Sequence, residues 1–179
     1  MAKLKVLVAN SGHYDGMANL NHSNTSNYAY RMQTSTDKTV TSFSFQRIKL
    51  PREAHLSYMR DTDGIRKSWN DASLIYAGML EDVLVAYAVI NANDLPGTAT
   101  LTDLVVMPEV RHRGIGRTML AAVESWAVNG SQNRVLLPIP MRNYPMIELA
   151  MQSGYEMGGF LEQYFPNGDP VLFFQKRLA

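Results

Sequence analysis

The stretch that decides the fold runs from Val106 to Leu120 and reads VMPEVRHRGIGRTML. An apolar run precedes this stretch. From Ile115 onward, apolar residues recur at helical spacing and share one face of the predicted helix: Ile115, Met119, Ala122, Val123 and Trp126. This pattern predicts a strand, a loop and then an amphipathic helix. A helix N-terminus has unpaired N–H groups and a partial positive charge, so it attracts phosphate. The stretch therefore predicts an anion site where the loop meets the helix.

The residue types in the loop favour a diphosphate as that anion. Gly114 and Gly116 let the backbone approach an anion without a Cβ in the way, while Arg111, Arg113 and Arg117 add charge and hydrogen-bond donors. A dinucleotide-binding fingerprint is disfavoured because no repeating βαβ unit precedes the loop, and no phosphate-binding loop ending in Gly-Lys-Ser/Thr is present. From the residues alone, a helix start whose arginines merely face solvent stays open.

Composition narrows the class of protein. The chain has 179 residues, of which 46% are hydrophobic and 18% charged, as expected of one soluble globular protein. It has no cysteine, which excludes disulfide scaffolds, thiolate metal sites and cysteine nucleophiles, and its histidines lack metal-ligand spacing, so we expect no metal. A net charge of +1 argues against nucleic acid as a partner. No apolar run approaches the roughly 20 residues of a membrane span, so we expect a cytoplasmic protein that does not bind membranes.

The first 39 residues differ in composition from the rest. Lys3 to Ala9 predicts one short strand, whereas Asn10 to Thr39 is rich in Asn, Ser, Thr and Gly and predicts a loop or disorder. We therefore expect two parts, a polar N-terminal arm at 1–39 and a folded domain at 40–179. Because the arm is too poor in apolar residues to fold alone, we expect a partner subunit to order it, and hence a homodimer in which the strand adds to a partner's sheet edge.

From Val40 onward the pattern becomes regular and predicts an α+β domain with a mostly antiparallel sheet. The predicted strands are 40–50, 73–80, 83–90, 98–107, 134–139, 155–164 and 171–177, of which 73–80 and 83–90 form a hairpin. The predicted helices are 51–59, opened by Pro51 and broken at 61–64, then 114–128 and 145–153.

The loop sequence Arg111-His112-Arg113-Gly114-Ile115-Gly116 resembles the acetyl-CoA-binding signature [QR]-x-x-G-x-[GA] of the GNAT superfamily of N-acetyltransferases. A second similarity lies downstream, in Asn143 and the pair Gly154-Tyr155. The resemblance spans about Ser73 to Arg177. Its C-terminal part, from Gly154-Tyr155 to Phe173-Phe174, more faintly resembles the streptothricin acetyltransferase branch.

This resemblance implies a GNAT-like sheet with helices on its faces, in which strands 98–107 and 134–139 splay apart to admit the pantetheine arm. It implies acetyl-CoA as co-substrate and direct attack on it by a primary amine of a small molecule or peptide. The residues expected to bind the cofactor are Leu104, Val105, Val106, Arg111, His112, Arg113, Gly114, Ile115, Gly116, Arg117, Thr118 and Asn143. Pro138, which has no N–H, fits a strand that stops pairing there.

Two positions depart from the family pattern. Many members have a Glu as base on the fourth strand, where this chain has Thr102 followed by Asp103, which becomes the candidate base or a structural carboxylate. The usual acid is a Tyr seven residues beyond the Asn, and here that position is Ala150. If the tyrosine is lost, Ala150 leaves space beside the thiol. The departures keep a second function open, a catalytically weak CoA-binding module that acts as a sensor or assembly partner.

Overall fold

The computed structural model describes residues 3–57 and 62–178. The described strands are β1 (Lys5–Val8), β2 (Ser23–Thr36), β3 (Thr41–Ser57), β4 (Leu74–Leu80), β5 (Val83–Asn91), β6 (Thr98–Val106), β7 (Arg134–Pro140), β8 (Glu156–Leu161) and β9 (Val171–Arg177). The described helices are α1 (Tyr14–Asn19), α2 (Thr62–Asp71), α3 (Ile115–Asn129) and α4 (Tyr144–Gln152). Seven strands form one sheet in the order β1-β4-β5-β6-β7-β9-β8, and β2 and β3 form a separate hairpin.

The central sheet opens between two of its strands. Neighbouring strands are antiparallel except β6 and β7, which run parallel and pair only from Thr98–Arg134 to Thr100–Leu136. Beyond these pairs the two strands diverge and leave a V-shaped gap, hereafter the V. The predicted α+β class, mostly antiparallel sheet and splayed central strands are confirmed.

Helices cover both faces of the sheet. On one face, the apolar side of α3 packs on β5 and β6 through fully buried residues such as Met119 and Val123, and α4 belongs to the same core. On the other face, a smaller core joins Met17 of α1 to Ala77 and Tyr87 of the sheet, with Trp69 of α2 packed against it. In the described parts of the chain, no helix has both the length and the apolar character that crossing a membrane requires.

Most elements after residue 72 lie within two residues of their predicted bounds, except that β8 ends at Leu161 rather than Tyr164. The strand predicted at Lys3–Ala9 is also present as β1. These elements have strong apolar periodicity, which is the most reliable local signal.

The prediction of a loop or disorder at Asn10–Thr39 is wrong. This segment contains a 3₁₀ turn, α1 and the whole of β2. Met17 and Leu20 are buried in the smaller core, and β2 pairs along its length with β3. Ser, Thr and Tyr side chains suit a pleated strand, and the apolar partners of this segment come from elsewhere in the chain.

The helix predicted at 51–59 is also wrong over the described residues, because β3 continues through Pro51 as far as Ser57. Residues 50–53 lie opposite a shift in register between Ser26 and Tyr28. Proline is tolerated at such an irregularity because its missing N–H breaks no ladder bond there. The break predicted at 61–64 lies partly outside the described residues, and from Thr62 onward the chain is helical as α2.

The N-terminal segment packs on its own chain. β1 pairs with β4, and β2 pairs with β3 across the predicted boundary at 39–40. The order of this segment therefore does not require a partner subunit, and the reason for expecting a homodimer falls away. The oligomeric state itself stays a prediction.

Candidate active site

The β6 edge of the V carries backbone groups suited to an extended ligand. Met107 donates its N–H to Val85 of β5, and in an antiparallel pair successive residues point their bonds alternately to either side. Val105 therefore bonds toward β5, while the N–H groups of Leu104 and Val106 point into the V. Of the three residues predicted here, two can bond a pantetheine arm or a thioester carbonyl, and Val105 contributes only its side chain.

The β7 edge of the V lacks two donors. Met141, which directly follows β7, donates its N–H to Pro170 on the β9 side. By the same alternation, the nitrogens of Pro138 and Pro140 point into the V, and neither has a hydrogen to donate. The two prolines thus explain why β6 and β7 stop pairing. They also leave one edge of the V with donors and the other without.

The loop before α3 places its N-terminus at the end of β6. Gly114 has φ of +81° and lies at the N-cap position, and a Cβ there would meet nothing within 4 Å. His112 is also left-handed, with φ of +60°, and its side chain is exposed. Ile115 is buried in the main core and anchors the first turn of α3. As a first-turn residue, it directs its N–H out of the helix N-terminus toward the loop. An anion can approach this helix end without obstruction at Gly114.

Gly116 has a different role from Gly114. A Cβ on Gly116 would lie 2.9 Å from the Cδ2 atom of Leu149 on α4. Its lack of a side chain therefore allows α3 and α4 to pack closely. Open space is present at Gly114 and not at Gly116, and the binding of an anion by either glycine stays a prediction.

The three arginines of the loop are not equivalent. Arg111 is half-buried and donates from Nε to the Val106 carbonyl at 2.9 Å and from Nη2 to the Ser23 carbonyl at 2.8 Å. Burial lowers the pKa of its guanidinium, and the charge of Glu109 partly offsets that effect. Arg113 is exposed beside the helix start. Arg117 is exposed and lies 3.5 Å from the side-chain oxygen of Gln152 on α4, so that both arginines can reach an anion at this end of α3.

Two further predicted cofactor residues stabilise helix starts. The Thr118 hydroxyl donates to the Gly114 carbonyl at 3.2 Å, within the first turn of α3. Asn143 is the N-cap of α4, and its Oδ1 atom accepts from the Met146 N–H at 3.3 Å and from Nδ2 of Asn24 at 3.0 Å. Asn143 thereby connects α4 to β2.

His22, Ser23 and Asn24, hereafter the bridging segment, cross the mouth of the V. His22 Nε2 lies 2.7 Å from the Tyr87 hydroxyl of β5. Ser23 contacts Arg111, and Asn24 contacts Asn143, as described above. The segment thus joins the β6 side of the V to the β7 side. Tyr87 lies on the face covered by α1 and α2, so His22 enters from the side of the sheet opposite α3.

The hairpin that carries the bridging segment is fixed against α4. Arg47 of β3 donates to the Tyr144 hydroxyl at 2.9 Å and lies over the rings of Tyr28 and Tyr144, at 5.1 and 5.7 Å from their centroids. The hydrogen bond with Tyr144 raises the pKa of the Arg47 guanidinium. These contacts hold β2 and β3 beside the first turn of α4.

Asp103 lies on the face of the sheet covered by α1 and α2. Val89 pairs with Asp103 but Ile90 pairs with Leu101, so Thr102 is the extra residue of a β-bulge. The Thr102 hydroxyl lies 3.2 Å from a carboxylate oxygen of Asp103, and Asp103 lines a small cavity whose other walls are mostly apolar. Strand alternation alone could not predict which face Asp103 occupies, because the bulge at Thr102 shifts the alternation of side chains by one residue.

Ala150 is fully buried, with 0% of its surface exposed, and belongs to the main core with Ile147. The position at which the family has its tyrosine is a packed core position in this chain. The expected space beside the thiol is therefore absent at this residue. Tyr155, the aromatic residue of the Gly154-Tyr155 pair, is buried in the same core.

Comparison with known proteins decides the family. The family model described as the Acetyltransferase (GNAT) family matches residues 42–155, which is more than half of the chain. This chain is a GNAT acetyltransferase. The GNAT resemblance of the loop sequence is thus confirmed, and acetyl-CoA is the co-substrate of the family. No curated protein sequence matches the chain significantly.

Solved structures share its fold over the full length. A nourseothricin acetyltransferase has a TM-score of 0.84 and 16% identity, covering 98% of this chain and 99% of that one. A putative streptothricin acetyltransferase from Bacillus anthracis str. Ames, in complex with acetyl coenzyme A, has a TM-score of 0.78 and 16% identity, covering 99% of both chains. The ribosomal-protein-S18-alanine N-acetyltransferase from Escherichia coli has a TM-score of 0.71 and 12% identity, covering 99% of this chain and 95% of that one. At these low sequence identities the similarity shows the fold alone. Acetyltransferases of the streptothricin branch are among the structures that share this fold.

The bridging segment and Tyr87 are the features that the sequence did not reveal. The contacts of His22, Ser23 and Asn24 join residues 65 to 119 positions apart, so no local pattern encodes them. Tyr87 carried the one available signal, a hydroxyl within the otherwise apolar strand 85–90. A buried tyrosine normally has a hydrogen-bond partner, and here His22 supplies it.

Proposed function

We propose that the protein transfers the acetyl group of acetyl-CoA to a primary amine of a small molecule or a peptide, by direct attack of the amine on the thioester. The observation that carries the proposal is the V, which has donors along β6 and the open N-terminus of α3 at its mouth. The residues present suit acetyl-CoA. The diphosphate fits at Gly114, Arg113 and Arg117, and the pantetheine arm fits between β6 and the prolines of β7.

Acetyl-CoA supplies the activated acyl group, and the chain supplies binding and polarisation. The Val106 N–H points into the V and can donate to the thioester oxygen, on which negative charge develops during attack. The β6 backbone is held by β5 on its other edge, so this donor is fixed before the substrate arrives. Such preorganisation is the usual source of rate enhancement in acyl transfer.

The acceptor enters, on this proposal, from the face of the sheet covered by α1 and α2. α3 and α4 occupy the other face, where the N-terminus of α3 takes the diphosphate. The names of two neighbours, a nourseothricin acetyltransferase and a ribosomal-protein-S18-alanine N-acetyltransferase, suggest the two acceptor classes to compare, a small-molecule amine and a peptide amine.

The test is acetyl transfer itself. The purified protein is incubated with acetyl-CoA and a panel of streptothricin-class amines, simple diamines and peptides with free N-termini, while free thiol is measured and products are weighed by mass spectrometry. We expect thiol release that depends on the acceptor and is matched by an acetylated product. If acetyl-CoA binds by calorimetry but no acceptor releases thiol, the chain is a CoA-binding module and the proposal is wrong.

A further inference from the structure

Neither position that the family pattern assigns to proton transfer carries a group that can do it. Thr102 is the bulged residue of β6 and Ala150 lies in the core. Acyl transfer to an amine nevertheless requires that the amine lose a proton and that the CoA sulfur gain one. The question is which residue of this chain serves the V instead.

The bridging segment brings a titratable side chain to the mouth of the V. Ser23 is connected through the Arg111 guanidinium to the Val106 carbonyl at the end of β6, and Asn24 reaches Asn143 at the start of α4. His22, next to Ser23, is half-buried and lies on the acceptor side of the sheet. The segment is thus anchored on both sides of the gap in which the thioester would lie.

The position of the His22 ring is fixed by Tyr87. The tyrosine is 2% exposed and belongs to β5, which is paired with a strand on each edge, so it is a rigid support. Its hydroxyl lies 2.7 Å from His22 Nε2, and the two rings meet edge to face with centroids 5.7 Å apart. Histidine is the side chain best suited to exchange a proton near neutral pH.

On the basis of the proposed function, we propose that His22 is the proton acceptor for the attacking amine and that Tyr87 is its positioning residue. The nitrogen of the neutral amine forms a C–N bond with the acetyl carbonyl carbon, and the C–S bond breaks. An acceptor that is an ammonium ion at pH 7 first releases one proton to the solvent. The proton leaves the amine nitrogen for Nδ1 of the neutral His22 imidazole, in the tautomer whose Nε2–H donates to the Tyr87 hydroxyl oxygen. The imidazolium then returns a proton to the CoA sulfur, so the products are the amide and neutral CoA thiol, and His22 is neutral again.

Asp103 is the competing candidate. Its carboxylate lies on the same face as Tyr87, but it borders a mostly apolar cavity beneath α2 and has a Thr102 hydroxyl beside it. A purely structural reading is the other alternative, in which the bond between His22 and Tyr87 only attaches the bridging segment to the sheet. The substitution His22→Gln separates these readings, because glutamine can still hydrogen-bond Tyr87 but cannot take up a proton.

The experiment measures kcat and KM of the full chain for two acceptors with similar shapes, a strongly basic amine and a weakly basic amine that is already neutral at pH 7. We expect His22→Gln to lower kcat for the basic amine by about 10²–10⁴-fold, with acetyl-CoA affinity unchanged by calorimetry. The loss should be much smaller for the weakly basic amine, which needs less help to lose its proton. Added imidazole should restore part of the rate to His22→Ala.

Matched variants identify the role of each neighbour. Tyr87→Phe should lower kcat by about tenfold, since a base that is less well oriented loses only part of its contribution. Tyr155→Phe removes the same hydroxyl from a buried tyrosine on the α3 face, beside Lys176, and should leave kcat unchanged. Asp103→Asn should have a smaller effect than His22→Gln.

The outcomes are distinguishable. Equal losses for both amines, or no rescue by imidazole, would show that His22 is structural and overturn the proposal while acetyl transfer stands. A larger, amine-dependent loss in Asp103→Asn would assign the base to Asp103. A wild-type protein that acetylates no amine overturns both the proposed function and this inference.

Discussion

The cofactor side of the V and the side proposed for the acceptor are encoded in different ways in the sequence. The side formed by β6, the loop 107–114 and α3 is continuous in sequence, and its glycines, arginines and helical repeat lie within a few residues of one another. The side on which we propose that the acceptor binds lies under α1 and α2, and the bridging segment connects it to the V. A cofactor that all members of a family share can be recognised by a short local pattern, whereas an acceptor site depends on contacts between distant residues.

The largest expected effect tests the cofactor side. The double substitution Arg113→Ala/Arg117→Ala should weaken acetyl-CoA binding by about 100-fold in calorimetry, since a charge-assisted bond contributes roughly a factor of ten or more. The loss should grow smaller at high salt, where exposed charges are screened.

The matched control removes two positive charges from the hairpin. Arg31 and Arg52 are exposed on β2 and β3, and Arg31→Ala/Arg52→Ala changes the net charge equally. We expect this variant to bind acetyl-CoA as the wild type does. Equal weakening in both variants would mean that the loop arginines act only through net charge, and the distinction between the two sides would fail.

The second prediction concerns Ala150, where family pattern and packing disagree. Ala150→Tyr should destabilise the protein by about 1–3 kcal/mol, because a ring is forced into a packed core. Met151→Tyr on the same helix, at a residue that is 52% exposed, should change stability by less than about 0.5 kcal/mol. Chemical denaturation measures both. An Ala150→Tyr protein that is as stable as wild type and turns over faster would restore the family acid.

The sequence predicted the central sheet well for a physical reason. Strands β4 to β7 and helix α3 carry apolar residues at the period of their own structure, so local pattern and tertiary packing agree. The residues 10–57 carry few apolar residues, and their burial depends on partners such as α4 and the smaller core, which no local window contains. Judged from its local sequence, Pro51 is typical of the first turn of a helix, but it lies at a register shift within β3. Only the pairing of β2 with β3 explains why the strand continues through this proline.

The candidate site follows the same rule as the fold: its locally encoded part was predictable from the sequence, and its part built from distant segments was not. Leu104, Val106, Gly114 and Arg113 could be predicted as cofactor-binding residues because the strand, loop and helix follow one another in the chain. The bulge at Thr102 and the closeness of His22 to Tyr87 are properties of paired strands and distant segments. The acceptor side therefore had to come from the structure.

The third prediction compares the two glycines of the signature. Gly114→Ala should cost about 1 kcal/mol of stability, since its left-handed φ is unfavourable for a residue with a Cβ, and its methyl group should also weaken acetyl-CoA binding. Gly116→Ala should retain acetyl-CoA affinity, because its Cβ points to a flexible Leu149 side chain. Calorimetric affinities and denaturation midpoints of both variants provide the test. A greater loss of affinity in Gly116→Ala than in Gly114→Ala would contradict these roles.

The smallest effect tests the junction at which the two sides meet. Asn143→Ala removes the N-cap of α4 and should cost about 1 kcal/mol. Asn24→Ala removes only the hydrogen bond to that cap and should cost about 0.5 kcal/mol. Once Asn143 is alanine, the Asn24 substitution should cost almost nothing further, because the bond is already absent. A double-mutant cycle measures this coupling. Additive costs would falsify the view that Asn24 acts through Asn143. Coupled costs in stability, together with a change in KM for the acceptor but not for acetyl-CoA, would place the junction on the acceptor side of the V.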